Sequence, residues 1–325
     1  MRKFIQQLCQ KVLHTQDISL KEAERLLQTS QDDMWFLFVH ANDIRKKFRG
    51  DFIDRCAITN AKSGACSQDC AFCAQSAHHK TKVDIYPLVK EESILKKAEE
   101  SLKCRANRFC IVTSGKRPTQ EELKKICRIA KSIRKKFPKL KLDASLGTLD
   151  IERAKALKDA GIERYNHNLE TARSHFNKIC TTHSFEDRLK TIEVLKKTGL
   201  EICSGGIFGL GESLKQRIEF AFFLKSINPD CIPINFLNPI KGTRLENEKV
   251  DKATDFLRMI AIYRFILPDK QIRICGGRQY NLRKLESLIF LAGADAILTG
   301  NYLTTKGNAP LEDLLMIKDL GLYAK

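Results

Sequence analysis

The chain has 325 residues, 43% of them hydrophobic, and a formal net charge of +18. That length supports one large core or two modest ones, and no run of about 18 apolar residues is present to span a membrane. The charge suits anionic small substrates, but it lies in solvated helical runs such as Lys131 to Lys136 without aromatic interleaving, so a nucleic-acid partner is not expected.

Residues 1–50 read as a helical extension. Leu20, Ala23, Leu26 and Leu27 recur at helical spacing, and Trp35, Phe36 and Phe38 follow. From residue 51 to 325 the pattern changes to short apolar runs alternating with charged amphipathic segments. The first run, near Ile53–Thr59, leads into Gly64-Ala65-Cys66-Ser67-Gln68-Asp69-Cys70-Ala71-Phe72-Cys73. Cys66, Cys70 and Cys73 are spaced C-x3-C-x2-C, so one short loop can wrap three corners of a metal centre. A cubane iron–sulfur cluster has four irons, and three thiolates would leave one of them open to a substrate. Zinc is the alternative, with His78 or His79 as a fourth ligand. A disulfide is a weaker reading: no charged-then-apolar leader opens the chain, and clustered cysteines in a reducing, cytoplasmic setting are metal ligands more often.

Seven further runs follow, near Arg108–Thr113, Leu140–Leu146, Ile162–Leu169, Leu200–Gly209, Asp230–Leu237, Gln271–Gly276 and Asp295–Thr299. Helical patterns separate them. One starts at Glu91 and one at Thr119, and others cover Ile151–Ala160, Ser184–Lys197, Ser213–Ile227, Val250–Leu267 and Tyr280–Ala292. Ser184 with Asp187 resembles a capping box, and Gly161 and Gly199 sit at C-cap positions. Eight strand–helix units predict an α/β fold, a TIM-type (β/α)8 barrel behind an N-terminal helical extension. A doubly wound sheet is the alternative, but no G-x-G-x-x-G follows the first strand. The glycine-dense Gly205-Gly206-Ile207-Phe208-Gly209 reads either as close approach to a ligand or as tight packing.

Barrel strands should be filled with Val, Ile and Leu. Here they carry Cys110, Asp143, the pair Asn166 and Asn168, Cys203, Asn235 and Arg273. Strands of a closed barrel converge on one interior, where each polar group needs a partner. The run of polar strands therefore points to an internal site. Cys110 and Cys203 read individually as buried core thiols, or together with Arg273 and Asp143 as a second metal–sulfur centre. A buried Arg273–Asp143 ion pair is the competing reading.

Several blocks of the chain carry a resemblance. They are Asn60-Ala61-Lys62-Ser63-Gly64, Cys73-Ala74-Gln75-Ser76-Ala77-His78-His79, Tyr165-Asn166-His167-Asn168-Leu169-Glu170, Cys203-Ser204-Gly205-Gly206, Pro233-Ile234-Asn235-Phe236-Leu237, Arg273 to Arg278, and Tyr302-Leu303-Thr304-Thr305. Together they span nearly the whole chain, and it resembles the biotin synthase family of radical S-adenosylmethionine enzymes. The resemblance implies a [4Fe–4S] cluster on Cys66, Cys70 and Cys73 that binds S-adenosylmethionine, and a 5′-deoxyadenosyl radical that abstracts hydrogen from dethiobiotin. It also implies an auxiliary cluster, of [2Fe–2S] type, that donates the sulfur of biotin. Cys110, Cys203 and Arg273 match its ligand set, with Asp143 where the family usually has Cys, and Ser145 where some members have another. Phe72, Asn168, Glu170 and Arg188 are implied for S-adenosylmethionine, Glu170 standing where Asp is usual. Asn166, Asn168 and Asn235 are implied for catalytic placement. An electron donor such as flavodoxin or ferredoxin and a homodimer complete the expectation. Two alternatives stay open: a radical enzyme without sulfur insertion, and a zinc-containing or basic RNA-binding protein.

Overall fold

The computed structural model describes residues 1–324. Nine strands form one parallel sheet: β1 Asp54–Lys62, β2 Arg108–Thr113, β3 Lys141–Ser145, β4 Arg164–Asn166, β5 Glu201–Cys203, β6 Gly206–Phe208, β7 Cys231–Phe236, β8 Gln271–Ile274 and β9 Ala296–Leu298. The order β5-β4-β3-β2-β1-β9-β8-β7-β6, with an added β5–β7 pairing, closes the sheet into a ring. β5 and β6 are two halves of one barrel position, so eight positions make the barrel expected from the sequence. The strands read as continuous apolar runs because helices cover their outer face. Phe109, Ile111, Ile232 and Ile274 are fully buried.

The expected single strand Leu200–Gly209 is split at Ser204-Gly205. The break lies opposite Pro233 of β7, which has no N–H to give a ladder. β5 pairs at Cys203↔Cys231 and β6 resumes at Gly206↔Ile234. Across the gap the Gly205 carbonyl accepts instead from the N–H groups of Leu169 and Glu170. A Cβ on Gly205 would overlap the Pro233 carbonyl, and one on Gly206 would overlap that of Glu170. Of the two readings of these glycines, tight backbone packing accounts for them.

Most expected helices form, and the two whose caps were read from the sequence keep them. In Phe185–Thr198 the Asp187 N–H donates to Ser184 Oγ at 3.1 Å, Asp187 Oδ2 accepts from the Ser184 N–H, and Gly199 closes the end at φ +68°. The segment Tyr280–Ala292 is an exception. It is broken into Arg278–Leu282, a 3-10 turn and Leu288–Leu291, and Arg283 takes φ +53°. Helices Arg173–Ile179 and Pro310–Asp319 have no counterpart in the sequence reading.

The first fifty residues form helices Arg2–Leu13, Leu20–Leu26 and Gln31–Arg49. They pack on the barrel helix Ala253–Ile266, which is buried on every side from Met259 to Ile266. A barrel helix normally keeps a polar outer stripe; this one is buried there by the extension, and its one charge in the stretch, Arg264, is paired with Asp295 at 2.6 Å.

Candidate active site

The C-terminal ends of barrel strands are where loops of this fold build sites. The cysteine loop leaves β1 there. Its backbone is tied to itself: Cys66 N–H donates to the Gln75 carbonyl at 2.9 Å, Ala77 N–H to the Cys66 carbonyl at 2.8 Å, and Cys73 N–H to the Cys70 carbonyl at 2.9 Å. All three thiols line one cavity of about 340 Å³. Burial raises Cys73 to about 11, and a positive metal centre would reverse that. Neither histidine proposed for zinc turns its bonded nitrogen to the thiols. His78 Nε2 meets the Ser67 carbonyl at 3.1 Å and His79 Nδ1 meets the Cys73 carbonyl at 2.9 Å.

The opposite wall brings together the residues read from β4 and beyond. Phe72, Asn166, Asn168, Glu170, Arg188 and Asn235 all line the same cavity. Arg188 is its organiser. Its guanidinium donates to the Asn168 carbonyl at 2.9 Å and to Glu170 Oε1 at 3.4 Å, and Nη2 reaches Cys70 Sγ at 3.8 Å. Glu170 sits at φ +71°, rare for a residue with a Cβ. Its Oε2 is buried without a partner, and burial pushes its carboxyl up, with Arg188 opposing. A strained backbone that aims an unpaired acceptor into a cavity is a mark of a binding site. Asn235 differs. Its amide donates to the Gly206 carbonyl at 3.2 Å and accepts from Gly276 N–H at 2.9 Å. It therefore clamps two strand ends while lining the cavity.

A second cavity, of about 260 Å³, shares Phe72, Cys73, Gln75, Ile207, Asn235 and Leu303 with the first. Its remaining wall is mostly apolar and ends at Thr304 and Thr305. The two spaces are contiguous, and a molecule in each would meet its neighbour over Phe72 and Cys73.

Below them lies the barrel interior. Cys110, Cys203 and Arg273 are within it as expected, each at most 1% exposed. Asn166 lines the upper cavity and donates to Cys110 Sγ at 3.2 Å, so one side chain joins the two levels. Asp143 is fully buried, and its Oδ1 is taken by Arg108 Nη1 at 2.7 Å. Its other oxygen has no hydrogen bond and faces Arg273 at 3.9 Å. The ion pair weighed in the sequence thus exists chiefly with Arg108. Arg273 donates to Gln271 Oε1 at 3.2 Å and faces Asp54 at 3.8 Å, and its Nε has no partner. A buried cation with an orphaned donor beside thiols fits an anionic sulfur centre.

Three more thiols surround Arg273. Cys56 and Cys275 pack with Cys110, and Cys231 stands in register with Cys203. Burial pushes Cys203 well up. Cys231 is drawn down to about 7, burial opposing while the Cys203 thiol and Arg273 favour its thiolate. Cys56, Cys231 and Cys275 stand alone in the sequence, with no neighbouring cysteine to mark them as part of a site. The sequence reading also missed the floor of charges. Arg108, Arg164 and Arg273 are balanced there by Asp54, Asp143 and Glu201. Most of these sit at strand starts, and that repeated position was the available signal.

Comparison with known proteins agrees with this geometry. The radical SAM superfamily matches residues 61–224, and the biotin and thiamin synthesis associated domain matches residues 233–323. A biotin synthase of Geotalea uraniireducens is 48% identical over 325 residues, covering 100% of this chain and 98% of that one. One from Carboxydothermus hydrogenoformans is 49% identical over 317 residues, covering 97% of each. Among solved structures, methylornithine synthase superposes with a TM-score of 0.84 at 18% identity, over 98% of this chain and 97% of that one. The hydrogenase maturase HydG superposes at 0.83 and 18%, over 99% of this chain and 76% of that one, and these two likenesses speak for the fold alone. With full-length identity near one half and both domain models in place, the chain belongs to the biotin synthase family of the radical SAM superfamily.

Proposed function

We propose that the chain converts dethiobiotin to biotin, with S-adenosylmethionine in the first cavity and dethiobiotin in the second. The observation that carries this reading is the position of Asn166, which lines the upper cavity and touches Cys110 in the barrel interior below. A substrate beside it lies between two sulfur-rich centres, as sulfur insertion requires. When bound, the [4Fe–4S] cluster with S-adenosylmethionine supplies a carbon radical, and the auxiliary [2Fe–2S] cluster supplies sulfur.

The residues then have these parts. Cys66, Cys70 and Cys73 hold the first cluster. Glu170 Oε2, unpartnered and buried, accepts from ribose hydroxyls. Arg188 grips the methionine carboxylate, and Phe72 lies against the adenine. Asn166 and Asn168 hydrogen-bond ureido and ribose groups without adding charge. Asn235 holds the strand ends against which both molecules rest. The mostly apolar wall of the second cavity suits the hydrocarbon chain of dethiobiotin. Cys110 and Cys203 are the thiolate ligands of the auxiliary centre, and Arg273 and Asp143 complete or border it. The chain divides at residue 50 into the helical extension and the barrel. It works in the cytoplasm as a homodimer, reduced by a flavodoxin or ferredoxin.

The test uses dethiobiotin deuterated at the two carbons that gain sulfur, in anaerobically reconstituted protein. Deuterium is expected in the 5′-deoxyadenosine released, together with biotin. Deuterium-free 5′-deoxyadenosine and unchanged dethiobiotin would refute the reading. In the same assay Asn168→Ala is expected to keep its iron and to form biotin about 100-fold more slowly, because mispositioned reactants lose the advantage of proximity. An unchanged rate under saturating substrates would place Asn168 outside the site.

A further inference from the structure

We infer that Cys180 is a resolving thiol for Cys70. When the loop has lost its iron, oxidation joins the two sulfurs in a disulfide that closes the site to reloading. The inference rests on reading Cys70 as a cluster ligand. The triplet needs no fourth cysteine, yet a fourth stands against it. Cys180 Sγ lies 3.9 Å from Cys70 Sγ, and Cys180 is buried at the end of helix Arg173–Ile179. The mechanism proposed above gives this thiol nothing to do.

The two segments are fixed side by side. Ala71 N–H donates to the Ile179 carbonyl at 2.8 Å, and Asp69 N–H to Thr182 Oγ1 at 3.1 Å. The Asp69 carboxylate accepts from the Thr181 and Thr182 N–H groups at 2.9 and 3.1 Å. Arg244 Nη2 clamps both strands of chain, donating to the Asp69 and Ile179 carbonyls at 2.9 and 3.0 Å. Closing the Sγ–Sγ distance from 3.9 Å to a bond of about 2.05 Å is the movement the inference requires. The turn also orients the thiol, since Cys180 donates to Asp69 Oδ1 at 3.2 Å.

In the loaded site iron holds the Cys70 sulfur and no disulfide forms. Without iron, Cys70 lines the cavity and meets a small-molecule disulfide first. Its sulfur attacks one sulfur of that oxidant and expels one small thiol. Cys180 then attacks the mixed disulfide at the Cys70 sulfur and expels the second. Two protein thiols lose two hydrogens, and the oxidant leaves as two thiols.

The experiment strips iron anaerobically from the full chain, adds oxidised glutathione, blocks free thiols and maps the peptides by mass. Most Cys70 is expected linked to Cys180, two hydrogens lighter, while iron-loaded protein treated alike gives none. The oxidised apoprotein should take up roughly tenfold less iron than the reduced one until dithiothreitol is added. Cys180→Ser should load iron as wild type does and, stripped and oxidised, should carry glutathione on Cys70. Pairing of Cys70 with Cys66 or Cys73, or the same glutathione adduct in wild type and variant, overturns the inference. Formation of the Cys70–Cys180 bond in a protein whose triplet never takes up iron would sustain the pairing and defeat the cluster reading instead.

Discussion

Replacing Cys70 with alanine is expected to abolish cleavage of S-adenosylmethionine. Three thiolates hold a cubane while leaving one iron open, and among the described residues no other stands where Cys70 does. Its nearest thiol, Cys180, is bonded to Asp69 and flanked by His183 Nδ1 at 3.2 Å, so taking its place would break that network. Release of 5′-deoxyadenosine should fall at least a thousandfold, equivalent to about 4 kcal/mol of lost transition-state stabilisation. Iron per chain should fall with it. Cys127→Ala is the control. Cys127 lies on the outer helix Gln120–Lys136 and donates to the Ala156 carbonyl, remote from both cavities. Cleavage by Cys70→Ala at the wild-type rate would mean that the triplet does not hold the reacting cluster.

Arg108→Met is expected to cost about 3–5 kcal/mol of stability, read from denaturant unfolding, because it strips a buried carboxylate of its partner. Asp143 is fully buried and keeps only the distant Arg273. Glu201 and Asp54 lose the same guanidinium, now 2.9 and 3.5 Å away. Glu201 is half exposed and will be partly compensated by water, so most of the loss comes from Asp143. The double variant Arg108→Met/Asp143→Leu should recover most of the stability, since a well-packed apolar pair replaces an ion pair at little cost. A loss below about 1 kcal/mol in the single variant would contradict the picture of a charge-balanced barrel floor.

The barrel was legible because its strands are buried on both faces and so read as unbroken apolar runs, while the intervening helices carry caps of their own. Two helices escaped for opposite reasons. Arg173–Ile179 has no side-chain cap and is too short for a period to show. Pro310–Asp319 begins with a proper Pro at its first turn, but its pattern is inverted: Leu311 and Leu315 are exposed while Asp313 is buried against Arg278. The split of the fifth strand could be understood only once Pro233 was known to lie opposite it.

The site was legible where chemistry is local. A triplet of cysteines in eight residues declares a metal loop by itself. The polar residues of Asn166, Asn168 and Arg273 declared an internal site by being out of place in a barrel wall. Partnerships across the ring were not legible. Register decides that Asp143 meets Arg108 on β2 more closely than Arg273 on β8, and that Cys203 stands beside Cys231. Nor does spacing along the chain bring Cys180 to Cys70, which lie 110 residues apart.

The central claim is that sulfur from a centre inside the barrel enters dethiobiotin. Mössbauer spectroscopy of anaerobically reconstituted wild type, Cys203→Ser and Asp143→Cys, before and after one turnover with dethiobiotin and S-adenosylmethionine, tests it most directly. Wild type should show a second iron–sulfur signal beside that of the [4Fe–4S] cluster, and this signal should decline as biotin appears. Cys203→Ser should lose it and make no biotin, and Asp143→Cys should retain it, because thiolate is the softer ligand for iron. A wild-type spectrum with the [4Fe–4S] signal alone, unaltered in Cys203→Ser, would contradict the account.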